Sequence, residues 1–195
     1  MSDDAAAPRK TSEARDRLVR VASGLFYREG INSVGMDRVL AEASVTRATM
    51  YRHFSGKEAL VAAYLDREDE LLRQQFAAAA ATVPSPTPAQ LVHLVIEGIA
   101  DDIERHHTRG CPFINAAAEF PDASSPVRLI VARHRAWFRA ALHDVLDAAG
   151  HPHPTATAAS LVLLRDAALV GGYLDGVEVA RPAVLAAAQA VLRAA

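Results

Sequence analysis

Between Gly30 and Ser55 this sequence has room for two short helices and a tight turn, and little else. Met36–Ala43 turns Val39, Leu40 and Ala43 to one side, and Thr46 opens a second segment running to about His53. Ser44-Val45-Thr46 is the turn, and the Thr46 hydroxyl is of the type that caps a helix start. Upstream, Leu18, Val21, Ala22, Leu25 and Phe26 fall at i, i+3, i+4, i+7 and i+8, which predicts an amphipathic helix over residues 12–29, ended by Gly30.

Three short helices with a tight turn between the second and third form a helix-turn-helix arrangement. Its second partner must be slim enough for the major groove and polar on its outer side. The stretch Thr46–Phe54 meets that demand. Met50 and Phe54, four apart, face inward; Arg47 and Tyr51, four apart, face outward; Ala48 permits close approach. Arginine has the fork that matches two acceptors on guanine. Thr49, Tyr51 and His53 can donate to phosphate oxygens, and Lys57 falls in the first turn of the next helix, where backbone N–H groups favour an anion.

The rest also reads as helix. Ser55-Gly56-Lys57-Glu58 has the form of a capping box, followed by Leu60, Val61, Tyr64, Leu65, Leu72 and Phe76 along one side of a long helix that runs into Ala77–Ala81. Pro84, Pro86 and Pro88 make a short stiff connector. Thr87-Pro88-Ala89-Gln90 starts a helix to about His106. Pro112–Glu119 is a short helix after Gly110, Ser125-Pro126 opens a long one to Ala149, Thr155 to about Val177 is the next, and Pro182–Leu192 the last. Gly171-Gly172 interrupts an apolar helix at about 1 kcal/mol per glycine relative to alanine. Close crossing at a subunit interface, or a kink beside a pocket, explains it.

Composition agrees with an all-α fold: 51% of residues are apolar, much of that alanine, and only 6% are aromatic. The expected architecture is an N-terminal three-helix head (12–55) after a disordered tail (1–11), and a six-helix body (56–195). Net charge is −2, so bulk charge does not announce a nucleic-acid partner, although residues 1–60 hold ten Lys/Arg against eight Asp/Glu and the remainder eleven against fifteen. The single cysteine, Cys111, excludes an intrachain disulfide framework and fits a reducing compartment. No secretory signal is visible at the N-terminus, and no run of uninterrupted apolar residues approaches a bilayer span. The expected location is cytoplasmic, with no membrane partner.

Taken together, Leu25-Phe26, Gly30, Met36-Asp37, Val39, Ala43 through Phe54, Lys57-Glu58 and Leu60 resemble the DNA-binding domain of the TetR family of transcriptional regulators, over about a quarter of the chain. The segment Arg109–Phe120 resembles one branch of TetR-like C-terminal domains. The resemblance implies base contacts at Arg47, Ala48 and Tyr51, phosphate contacts at Thr49, Tyr51, His53 and Lys57, and Thr46 at the start of the recognition helix. It also implies a homodimer, a double-stranded DNA operator of near-palindromic sequence, and a small-molecule effector, lipophilic if the pocket is apolar, whose binding releases a repressor from DNA. Three positions depart from the family pattern. Val34-Gly35 stands where a hydroxyl residue is common, Leu40 where alanine is usual, and Ser44 where glycine is usual, at about 1 kcal/mol if the turn needs positive φ.

Within the body, Phe113, Trp137, His107, Cys111 and Tyr173 are candidates for an effector pocket. Leu161, Leu164, Ala168, Val184, Leu185 and Ala188 are candidates for a dimer interface. His106, His107 and Cys111 could form a metal cluster only if adjacent histidines, about 100° apart on a helix, converged; the expectation is no metal and no cofactor. Glu97, Asp101 and Glu104 sit at salt-bridge spacing without any catalytic partner motif, and no nucleophile elbow, P-loop or dinucleotide fingerprint occurs, so no enzyme is expected. The rival class is a helical binding protein whose head no longer engages DNA.

Overall fold

The computed structural model describes residues 13–106 and 108–193. The expected tail and His107 lie outside them. Among the described residues there are nine helices and no strand: α1 (Glu13–Glu29), α2 (Met36–Ala43), α3 (Arg47–Tyr51), α4 (Lys57–Ala81), α5 (Pro88–Arg105), α6 (Pro112–Glu119), α7 (Pro126–Ala148), α8 (Pro154–Leu174) and α9 (Val177–Arg193). The chain divides into two compact units, a head through Tyr64 and a body from Leu65, with the junction inside α4.

Helices as short as α2 and α3 are marginal by themselves in water. They persist here because Leu18, Leu25 and Phe26 of α1, Val39 and Leu40 of α2 and Met50 of α3 are buried in one head core. Leu40, which departs from the family's alanine, is fully accommodated in that core. The head continues past Ser55 because Leu60, Val61 and Tyr64 are buried in it, the Tyr64 ring 6.1 Å from that of Phe26. The expected capping box is one residue out of register: α4 begins at Lys57, and the carbonyl of Gly56 accepts its first bond, from Leu60 N–H at 3.3 Å.

In the body, Ile99 and Ile103 of α5, Phe138 and Leu142 of α7, Leu161 of α8 and Val184 of α9 share a core. Two caps stand where the sequence puts them. Thr87 and Gln90 form a reciprocal capping box on α5, and Ser125 Oγ accepts from Arg128 N–H at 3.2 Å on α7.

Two expectations for the last helices need correction, and the candidate interface residues take up a third place. The break between α8 and α9 is at Gly176, whose φ of +92° no side chain adopts easily, so α9 starts at Val177 and Pro182 lies inside it. The carbonyl that Pro182 leaves unbonded belongs to Glu178, an exposed residue. Second, a Cβ on Gly172 would lie 2.3 Å from Ile103 Cγ2, so a close crossing of α8 over α5 within one chain explains this glycine, not a subunit interface. Third, Leu161, Ala168, Val184 and Ala188 are buried in the chain's own core, with Leu164 and Leu185 packed against it. Leu164 and Leu185 keep part of their surface exposed. α8 is in fact long and apolar enough to cross a membrane by length and composition alone, yet it carries Arg165 and Asp166 and eight of its residues are buried in the body.

Candidate nucleic-acid interface and body cavity

The turn before α3 is built by Ser44, in the left-handed region at φ 52°, ψ 46°. Its N–H donates to Ala41 O at 3.1 Å and that of Val45 to Leu40 O at 3.0 Å, which closes α2 and reverses the chain. Thr46 then caps α3, its Oγ1 accepting from Thr49 N–H at 3.2 Å. At the start of α2 the N-cap is Gly35, with no side-chain cap, as its departure from the hydroxyl pattern implies.

α3 is two-sided. Met50 is 1% exposed and Phe54, just beyond the helix, 5%, while Tyr51 is 53% exposed and Arg47, Ala48 and Thr46 are open to solvent. Thr49 is half-buried, and its hydroxyl joins that of Thr46 at 3.0 Å and accepts from Arg52 at 3.2 Å. His53 is half-buried with its N–H donated to Met50 O at 2.9 Å. Lys57 is half-buried, with Nζ 5.9 Å from the Phe26 ring centroid.

Two features of this surface escaped sequence reasoning. Arg47 is ion-paired with Asp37 of α2, ten positions earlier, a separation with no local signature. Arg38, beside Asp37, is held by Glu29 at 2.9 Å and Glu42 at 2.9 Å, and the hydrogen bond from Arg38 holds the Glu29 carboxyl below its ordinary range. Arg52 is also exposed on the outer side, a cation that helical spacing from Thr49 could have flagged.

Among the described residues of the body lie hollows of about 150 Å³ and about 130 Å³. The first lies among α4, α5, α7 and α8 and is walled mainly by Leu72, Phe76, Leu91, Leu94, Ile99 and Phe138. The second is lined by Glu68, Leu71, His106, Pro112 and Phe113. Leu72, Gln75, Arg105 and Arg165 line both. Of the residues expected at a pocket, Phe113 is in the second lining. Cys111 is buried with Sγ 3.9 Å from Arg165 Nη1, Trp137 packs edge-on against Phe76 at 5.8 Å, and Tyr173 is exposed.

Polar groups in this region are mutually held. Arg165 donates from Nε and Nη2 to Asp102 Oδ2 at 3.1 and 2.7 Å, and Arg105 Nη2 to Asp102 Oδ1 at 3.2 Å. Burial alone would raise the Asp102 carboxyl. The His106 hydrogen bond and the charges of Arg165 and Arg105 outweigh it and hold Asp102 far below the usual carboxylate range. Burial raises Glu68. His134 stacks on Phe113 with ring centroids 3.7 Å apart and gives Nδ1 to Asp69 Oδ1 at 2.8 Å. Burial pushes it down to about 4 against the opposing pull of Asp69. The neutral ring explains how its buried Nε2 persists without a hydrogen-bond partner: it is a bare lone pair, not a stranded N–H. Glu97, Asp101 and Glu104 converge on Arg181 of α9 at 3.1, 3.0 and 3.2 Å, a structural ion network. Among the described residues no three His, Cys, Asp or Glu side chains gather as a metal set.

This organisation matches known proteins at both ends of the chain. Residues 18–64 match the family model for bacterial regulatory proteins of the TetR family, and residues 88–189 that for tetracyclin repressor-like C-terminal domains. The fold is similar to a TetR-family transcriptional regulator from Streptomyces coelicolor, with 45% identity, a TM-score of 0.87 and coverage of 93% of this chain and 95% of that one. It is also similar to a TetR transcriptional regulator from Chloroflexus aurantiacus, at 26% identity, a TM-score of 0.72 and coverage of 95% and 94%. An uncharacterized HTH-type transcriptional regulator of Mycobacterium tuberculosis is 36% identical over 86 residues, 44% of this chain and 43% of that relative, so the match spans less than half the length of that curated relative. The capped recognition helix at one end and the helical body at the other, each matched by its own family model, make this chain a member of the TetR family of DNA-binding bacterial transcriptional regulators.

Proposed function

We propose that this regulator is a repressor that binds a near-palindromic operator as a homodimer and is released when a small lipophilic effector enters the body. The observation that carries the reading is the two-sidedness of α3, with Arg47 and Tyr51 outward over buried Met50 and Phe54. Arg47, Ala48 and Tyr51 then meet base edges, and Thr46, Thr49, His53 and Lys57 hold the phosphates on either side.

The homodimer is supported by what α8 and α9 leave uncovered. Ala156, Ala159, Leu163, Ala167, Val170 and Leu174 of α8 and Val179, Ala183, Ala186 and Ala190 of α9 are exposed and uncharged, spaced three and four apart. An apolar strip of this kind favours burial against a partner, and a second copy pairing α8 and α9 with their equivalents covers it. Two recognition helices about 34 Å apart then enter successive major grooves.

The effector reading is supported by the apolar walls of the larger hollow. A ligand that fits one arrangement of the body better than another shifts the population of DNA-competent dimers, and a coupling of about 1–3 kcal/mol changes occupancy about 5- to 150-fold. The reading is tested by fluorescence anisotropy of the full-length protein on DNA from upstream of its own gene, with a panel of lipophilic compounds. Tight salt-sensitive binding reversed by one compound class supports it; affinity equal to that for scrambled DNA contradicts it.

A further inference from the structure

We propose that the effector is an amphiphilic carboxylic acid, its apolar tail in the larger hollow and its carboxylate on Arg105 and Arg165. The proposal rests on the effector reading above and names the chemistry of that site. Arg105 and Arg165 line both hollows.

Charge balance there favours an anion. Asp102 is bonded to both arginines, and its two oxygens are already occupied by them. Glu68, an acid of the smaller hollow, lies beside Arg67 at 3.9 Å, and burial raises its carboxyl. Asp101, at the edge of the larger hollow, is committed to Arg181. Two guanidiniums therefore share the Asp102 carboxylate, one of them buried and one partly open to solvent. Arg165 has hydrogen-bonding capacity to spare: beyond Asp102, its Nη1 meets Cys111 Sγ at 3.9 Å, and a thiol is a weak acceptor. Arg105 makes one bond to Asp102 while 39% of its side chain remains exposed, so it can meet an entering anion first. A cationic ligand would face two guanidiniums with no uncommitted carboxylate bonded beside them, and a neutral one would leave the Arg165 donors as they are. A carboxylate accepts from both, in the bidentate geometry that suits guanidinium.

Isothermal titration of the full-length dimer with C8, C10 and C12 straight-chain acids, and with the 1-alkanols and alkylamines of equal length, all below micelle formation, tests the assignment. Trp137, the chain's one tryptophan and a neighbour of Phe76, gives a parallel fluorescence reading. The acids should bind about ten-fold or more tighter than the alcohols and amines. Arg105→Gln should lower acid binding far more than alcohol binding and so erase most of that preference, and Arg105→Lys should restore part of it. Asp102→Asn, where it folds, should tighten the acids further. Equal or tighter binding of amines or alcohols, no binding of any acid, or acid binding indifferent to Arg105→Gln would each overturn the proposal. Acid binding without loss of DNA affinity would leave the ligand class standing and overturn the effector reading. Release by a non-acid, with no acid bound, would do the reverse.

Discussion

Asp37 at the start of α2 holds Arg47 at the start of α3, so the residue best suited to read guanine is already engaged by an acid of the head itself. The pair is solvent-exposed and orients the guanidinium more than it stabilises the fold. To contact a base, Arg47 must either keep Asp37 as a buttress or exchange it for DNA.

Arg47→Ala and Tyr51→Ala should therefore each cost about 1–3 kcal/mol in operator binding and relax preference at the contacted base pairs. Asp37→Asn should raise affinity for all duplexes, because one negative charge leaves the interface, and narrow the gap between operator and random DNA. Binding titrations on matched specific and scrambled duplexes separate the two effects. Unchanged operator affinity in Arg47→Ala would contradict the groove assignment.

Lys57 acts on phosphate in this reading. Lys57→Ala should weaken all sequences alike and lower the slope of log affinity against log salt by about 1. A change confined to one sequence would mean that Lys57 reads bases.

Leu163→Glu should disrupt the homodimer without unfolding the chain, since Leu163 is 66% exposed and outside the body core. Sedimentation equilibrium should then show monomer where the wild type shows dimer. Leu161→Ala, by contrast, should cost about 2–5 kcal/mol of stability, because Leu161 is 1% exposed inside one chain.

Stability should fall in mild acid through His134. Folded, this ring stays neutral down to about 4; unfolded, it takes up a proton near 6.5. Between those values the unfolded chain binds more protons, so folding stability is full above about pH 6.5 and is lost as pH falls toward 4. Asp102, held low in the folded state, adds a further loss below its ordinary range near 3.8. Urea midpoints across this range should decline in the wild type and flatten in His134→Phe, which keeps a ring against Phe113. A flat wild-type profile would show that His134 is not held neutral.

The head was legible because each of its parts leaves a mark in the sequence. Thr46 has a capping hydroxyl, Ser44 replaces a turn glycine, and Met50 and Phe54 alternate with Arg47 and Tyr51 at helical spacing. The left-handed Ser44 follows from the turn alone, and Ser44→Gly should stabilise the head by about 1 kcal/mol in thermal unfolding. The body was harder to read for a definite reason. α8 is apolar on both sides, with Leu161 and Ala168 buried and Leu163 and Val170 exposed, so no polar face fixes its rotation and spacing alone does not tell its core side from its outer side. Pro182 looks like a helix start, and only the backbone at Gly176 shows where α9 begins. The hollow's walls, Leu72, Phe76 and Ile99, carry the same residue types as the core, so spacing cannot tell a cavity lining from a packed seam. Asp102 and Arg165, 63 positions apart, meet only through the fold.

In vitro selection of full-length protein against random duplex DNA probes the reading of α3 most directly. Enrichment of an inverted repeat with half-site centres about one helical turn or a multiple apart, lost on Arg47→Ala, is the expected result. Recovery of no sequence, or of a site without two-fold symmetry that Arg47→Ala still binds, would contradict it.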